Sequence, residues 1–175
     1  MKNVGKSKKS GGVSMKINFY DARLRDDGTT VLVKERAVDY DMDFKTNNPS
    51  DIAKLMRSVL EMDRLAEEHC YMIVMNNACK LLGVFFLSKG TVNSSIISAR
   101  EVYMRALLIG GSMIILCHNH PSGRIAPTKI DIETSVKLKQ AGDMIGIPLI
   151  DHIIIGGDGY YSFMEHDWNE GIQVI

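Results

Sequence analysis

One short run constrains the fold more than any other: Ser112-Met113-Ile114-Ile115-Leu116-Cys117, nearly all apolar, leading straight into His118-Asn119-His120-Pro121-Ser122-Gly123. Gly110-Gly111 precedes it, and Pro121 with Gly123 forces a loop after it. So short an apolar run between turn residues reads as a strand buried on both faces. Further strands are expected around it. Residues 16–20 and 30–38, joined through Asp26-Asp27-Gly28, read as a hairpin. Residues 69–75 and 81–87 read as two strands with Asn76-Asn77 in the turn, and 147–155 and 160–163 complete the set.

Helices fall between these strands. Ser50 is the expected N-cap of the first, behind which Ile52, Leu55, Met56, Val59 and Leu60 recur at i, i+3, i+4, i+7 and i+8. Ser98-Ala99-Arg100-Glu101 has the form of a capping box and predicts a helix to about Ile109. A third helix begins near Thr128, carries Ile132, Val136, Leu138, Ala141 and Ile145, and stops at Gly146. The alternation predicts an α/β (α+β) domain, a mixed β-sheet flanked by helices. No internal repeat is present.

Charge and cysteine content narrow the function classes. The 175 residues hold 21 Lys+Arg and 21 Asp+Glu, a zero balance that argues against a general nucleic-acid binder. The zero is uneven: Lys2, Lys6, Lys8 and Lys9 put +4 on residues 1–14, leaving 17 basic against 21 acidic groups in the rest. Residues 1–14 read as a flexible basic leader or a cloning remnant. The lysines lead into no apolar stretch of the signal-peptide kind, and no run approaches the ~18 apolar residues of a membrane span. Cys70, Cys79 and Cys117 lack metal-binding spacing and read as reduced core thiols of a cytoplasmic protein.

The loop after the apolar strand carries the chemistry. Side chains two apart in extended chain share a face, so His118 and His120 can aim at one point. Asp131 follows His120 by eleven residues, in the first turn of the third helix. A chain that crosses a loop and turns back can set that carboxylate beside the histidines. Two imidazoles and a carboxylate suit zinc, with a fourth position left for water. The same Thr128 and Asp131 spacing is also that of an ordinary helix start, Thr128 as N-cap and Asp131 as N3.

The full spacing is more telling. His118-x-His120, seven residues, Thr128, two residues, then Asp131 resembles the H-x-H-x7-S-x2-D pattern of the JAMM (JAB/MPN-type) zinc metalloprotease superfamily, with Thr where the pattern has Ser. His118-Asn119-His120-Pro121-Ser122-Gly123, Pro127 and Asp131 are similar to its RadC-like branch. Lys89-Gly90-Thr91, Arg100-Glu101, Asp151-His152 and Tyr161-Ser162-Phe163 resemble that branch too, so the likeness spans residues 65–165. It implies a cytidine-deaminase-like JAB/MPN domain over 65–175, preceded by an N-terminal hairpin and helix over 15–64.

The resemblance further implies Zn2+ held by His118, His120 and Asp131. It implies a glutamate ahead of an earlier strand as the base, falling on Glu68 with Glu67 as the neighbouring alternative. Thr128 would support the oxyanion. The implied activity is hydrolysis of a peptide or isopeptide bond in an unidentified protein or peptide. Asp151-His152 is a candidate pair behind the metal ligands. A different class of function is a DNA-repair or mobile-element accessory, since RadC-like proteins carry that label. The absence of a basic surplus weighs against it, and oligomeric state is open.

Overall fold

The computed structural model describes residues 15–40, 46–90, 97–166 and 168. Its strands are β1 (Met15–Leu24), β2 (Thr30–Tyr40), β3 (His69–Met75), β4 (Leu81–Lys89), β5 (Met113–Asn119), β6 (Leu149–Gly156) and β7 (Gly159–Ser162). Its helices are α1 (Pro49–Leu60), α2 (Ala99–Leu108) and α3 (Lys129–Ile145), with a 3-10 turn at Met62–Arg64. The strands form one mixed sheet in the order β2-β1-β4-β3-β5-β6-β7. β5 lies antiparallel to β3 and parallel to β6, and β1 meets β4 in parallel at Phe19 and Tyr20.

Alternation along β5 explains why its sequence is apolar throughout. Ile115 and Cys117 join a core with α1 residues Ile52, Leu55 and Met56, while Ile114 and Leu116 join a second with Val102 and Tyr103 of α2 and Leu138 of α3. Each face of the sheet is thus covered, and the strand is buried from Ile114 to Asn119. The expected mixed sheet with helices on both sides is what forms.

Several local expectations need correction. Asn48, not Ser50, caps α1: its Oδ1 accepts from the Ser50 N–H, and Pro49 takes the first helical position. Proline fits there because its missing N–H has no helical partner to lose. Ser98 stands at the N-cap of α2 but makes no side-chain cap hydrogen bond. Cys70 and Cys117 are buried, whereas Cys79 is exposed in the β3–β4 turn with φ of 55°, so it is no core thiol. β1 also runs to Leu24, past the expected Tyr20, its polar second half held by pairing with β2. The leader at 1–14 and Thr91 lie outside the described residues. Among those described, no helix is long and apolar enough to cross a membrane.

Candidate metal centre

Two elements deliver the site. His118 is on β5 and His120 lies just beyond it, its N–H donating to Ile155 O at 2.8 Å so that the β5–β6 contact continues past the strand. Asp131 is held by a capping box at the start of α3. The Thr128 N–H and hydroxyl donate to its Oδ2 at 2.7 and 2.6 Å, and its own N–H donates to Thr128 Oγ1 at 3.3 Å. The carboxylate that caps the helix start is therefore the same one that meets the histidines. One oxygen of Asp131 caps while the carboxylate still faces the histidines.

The three buried side chains converge. His118 Nε2 lies 3.0 Å from His120 Nε2 and 3.2 Å from Asp131 Oδ1, and His120 Nε2 lies 3.5 Å from Asp131 Oδ2. Donors on a tetrahedral ion with bonds of about 2.0–2.1 Å stand roughly 3.3–3.4 Å apart. The two imidazole–carboxylate approaches, one to each Asp131 oxygen, bracket that figure, one ligand atom from each residue lies within 4.8 Å of the others, and two imidazoles with a carboxylate suit a divalent ion. The group can hold a metal.

Its electrostatics couple the carboxylate to the two imidazoles. Burial alone would raise the Asp131 carboxyl, but hydrogen bonds with His118 and His120 hold it well below the usual range. His120 is raised, chiefly by its hydrogen bond with Asp131 and against the opposing pull of burial. Burial pushes the Cys70 thiol, which lines the same cavity, up to about 12, so it stays protonated.

The two candidate bases part company. Glu68, half-buried, lines the cavity with His118 and Asp131. Glu67 turns outward to an exposed ion pair with Lys89 Nζ at 2.5 Å, which lowers its carboxyl. Thr128 is at the surface beside Asp131, with its hydroxyl engaged by Oδ2.

The Asp151-His152 pair is split by strand alternation. His152 faces the site, its Nε2 2.8 Å from His118 Nδ1, with burial holding it well below the usual histidine range. Asp151 instead accepts from Ser162 Oγ and Met164 N, anchoring the turn after β7. Phe163 of that turn stacks on His152 at 5.3 Å.

Three partners went unread in the sequence. Ser135 Oγ lies 2.6 Å from both His152 Nδ1 and Asp131 O. The Arg124 carbonyl accepts from His120 Nδ1 at 2.8 Å. Asn119 Oδ1 accepts from His69 N and its Nδ2 donates to Glu67 O, so it grips the backbone on both sides of Glu68. Only Ser135 left a signal, its i+4 spacing from Asp131 on one helical face.

Residues 46–168 match the RadC-like JAB domain family. A UPF0758 protein of Staphylococcus haemolyticus is 39% identical over 132 residues, which are 75% of this chain and 57% of that protein. Another from Staphylococcus epidermidis is 44% identical over 118 residues, 67% of this chain and 51% of its own length. One from Clostridium botulinum strain Alaska E43 is 40% identical over 125 residues, 71% and 54% respectively. The chain thus spans about half the length of the curated relatives it matches, and their names assign no activity. With the matched stretch taking in both histidines, Asp131 and Glu68, the chain belongs to the RadC-like JAB domain family, a family of the JAB/MPN type.

Proposed function

We propose that this chain is a zinc-dependent hydrolase of a peptide or isopeptide bond. The observation that carries the reading is the convergence of His118, His120 and Asp131, with ligand atoms within 4.8 Å of one another, beside a cavity that His118, Asp131 and Glu68 line. His118, His120 and Asp131 would hold the ion. When bound, zinc would supply Lewis acidity and a water that ionises near neutral pH, about 7 in well-studied sites.

The remaining work falls to the chain's own groups. The Glu68 carboxylate takes the proton from the attacking water and returns it to the leaving amine, which requires hydrogen-bond reach to both in the substrate complex. Thr128 can donate to the developing oxyanion only by turning its hydroxyl away from Asp131 Oδ2, where it now donates at 2.6 Å. β-Branching restricts that turn more than the serine of the JAMM pattern would.

Metal analysis of the purified chain is expected to find about one zinc per molecule, lost in His118→Ala and Asp131→Ala. Glu68→Gln keeps the zinc and loses all cleavage of a library of peptide and isopeptide substrates read by mass spectrometry. Folded protein that takes up no metal would overturn the site. Cleavage retained by Glu68→Gln would move the base elsewhere.

A further inference from the structure

We propose that Ser135 and His152 fix the imidazole of His118 in the tautomer that turns its Nε2 lone pair toward the metal, making both of them positioning residues for metal binding. The inference rests on the metal-binding part of the reading above. It does not depend on hydrolysis.

Asp131, Ser135, His152 and His118 form a closed ring of polar contacts. Ser135 Oγ lies 2.6 Å from Asp131 O, four residues back on the same helix. Two oxygens so close repel unless a proton lies between them, and a carbonyl has none to give. Ser135 therefore spends its single proton on Asp131 O. Its contact with His152 Nδ1, also 2.6 Å, must then be made with the imidazole as donor and Oγ as acceptor.

That choice propagates. With Nδ1 protonated, neutral His152 has a lone pair at Nε2, 2.8 Å from His118 Nδ1. A second proton there would create an imidazolium whose neighbours are a hydroxyl, an imidazole and the Phe163 ring, with no carboxylate in contact. His118 Nδ1 is thus the donor. Its Nε2 is then the nitrogen that faces the cluster, 3.2 Å from Asp131 Oδ1 and 3.0 Å from His120 Nε2, and the one whose lone pair an ion would take in place of a proton. His120 is fixed the same way by a backbone carbonyl, Arg124 O, which can only accept. The two ligands are thus set by different devices, and only that of His118 runs through removable side chains.

The circuit also explains a buried histidine with no other use. His152 is held flat by Phe163 at an interplanar angle of 10° and fully enclosed, so rotation that would break the contact is blocked. Partners of this kind behind a ligating histidine are commonly worth a factor of 10–100 in metal affinity.

The test uses the full chain and Zn2+ alone. In metal-free protein carrying 15N-histidine, long-range 1H–15N spectra are expected to show the His118 proton on Nδ1. By competition with a chromophoric chelator, Ser135→Ala and His152→Leu are expected to bind Zn2+ roughly 10–100-fold more weakly. His152→Gln, whose amide oxygen can accept from His118 Nδ1, recovers most of that loss, which a merely structural role would not predict. A His118 Nδ1 that carries no proton in the parent overturns the proposal. So does Zn2+ affinity in Ser135→Ala and His152→Leu within about threefold of the parent's. Should His152→Leu fail to fold, Ser135→Ala and the parent spectrum decide. A parent that binds no Zn2+ sinks the metal reading separately, while its spectrum still decides the tautomer.

Discussion

Asn119 shows how much a single side chain can carry. It stands between His118 and His120 in sequence, yet strand alternation turns it to the opposite side, where it is buried. The last pair of the β3–β5 ladder is Cys70 with His118. Beyond it the Asn119 amide takes over, accepting from His69 N at 2.8 Å and donating to Glu67 O at 3.1 Å. Asn119→Ala removes two part-buried hydrogen bonds to the backbone and is expected to cost about 1–2 kcal/mol of unfolding free energy. Asn119→Asp should cost at least as much, since its second oxygen would face the Glu67 carbonyl. Urea titration of the full chain checks both, and a loss under about 0.5 kcal/mol would show the clamp to be idle. Nothing in the sequence announces this contact. It joins a side chain to backbone 50 residues away, and backbone partners leave no residue-type trace.

The element that sets the site is the turn from β5 through Pro121 to α3. The apolar run, the histidines two apart, and the Thr128 and Asp131 cap are all local patterns, so the strand, the candidate histidines and the start of α3 could be read directly. The cap of α1 could not be assigned by residue type alone, because Asn48 and Ser50 both qualify and only the position of Pro49 separates them. What packs against the loop is not local at all. A Cβ on Gly156 would lie 2.8 Å from both Gly123 O and Arg124 O, closer than backbone atoms can yield. Arg124 O is the acceptor that orients His120. Gly156→Ala should therefore push the loop off β6 and cost roughly 1–3 kcal/mol, as overpacking does. It should also weaken Zn2+ binding, because His120 loses its fixed acceptor. Stability and chelator competition measured together test this. A variant with parental Zn2+ affinity would mean that the loop orients His120 without help from β6.

At the scale of the whole molecule, proton and metal compete for one buried cluster, and the pKa shifts set the signs. Asp131 is lowered on folding, so its contribution to stability is present above an unfolded value of about 3.9 and is lost as pH falls through the folded value. His120 is raised, so its contribution is complete below about 6.5 and is lost as pH climbs through its folded value. The metal-free chain thus draws most from the pair between these limits and weakens toward alkaline pH. Zinc asks the opposite of His120, since only the neutral imidazole ligates and its proton must leave first. Between about pH 6 and pH 8 the apparent Zn2+ affinity should rise, by up to tenfold per unit while His120 is protonated. Over the same range the metal-free melting temperature should drift down, and the zinc-loaded one should not, because binding to the native state adds stability that grows with affinity. Chelator competition and paired thermal melts of the full chain measure the two slopes. Zn2+ affinity that stays flat across this range would remove His120 from the ligand set, and with it the tetrahedral reading of the site.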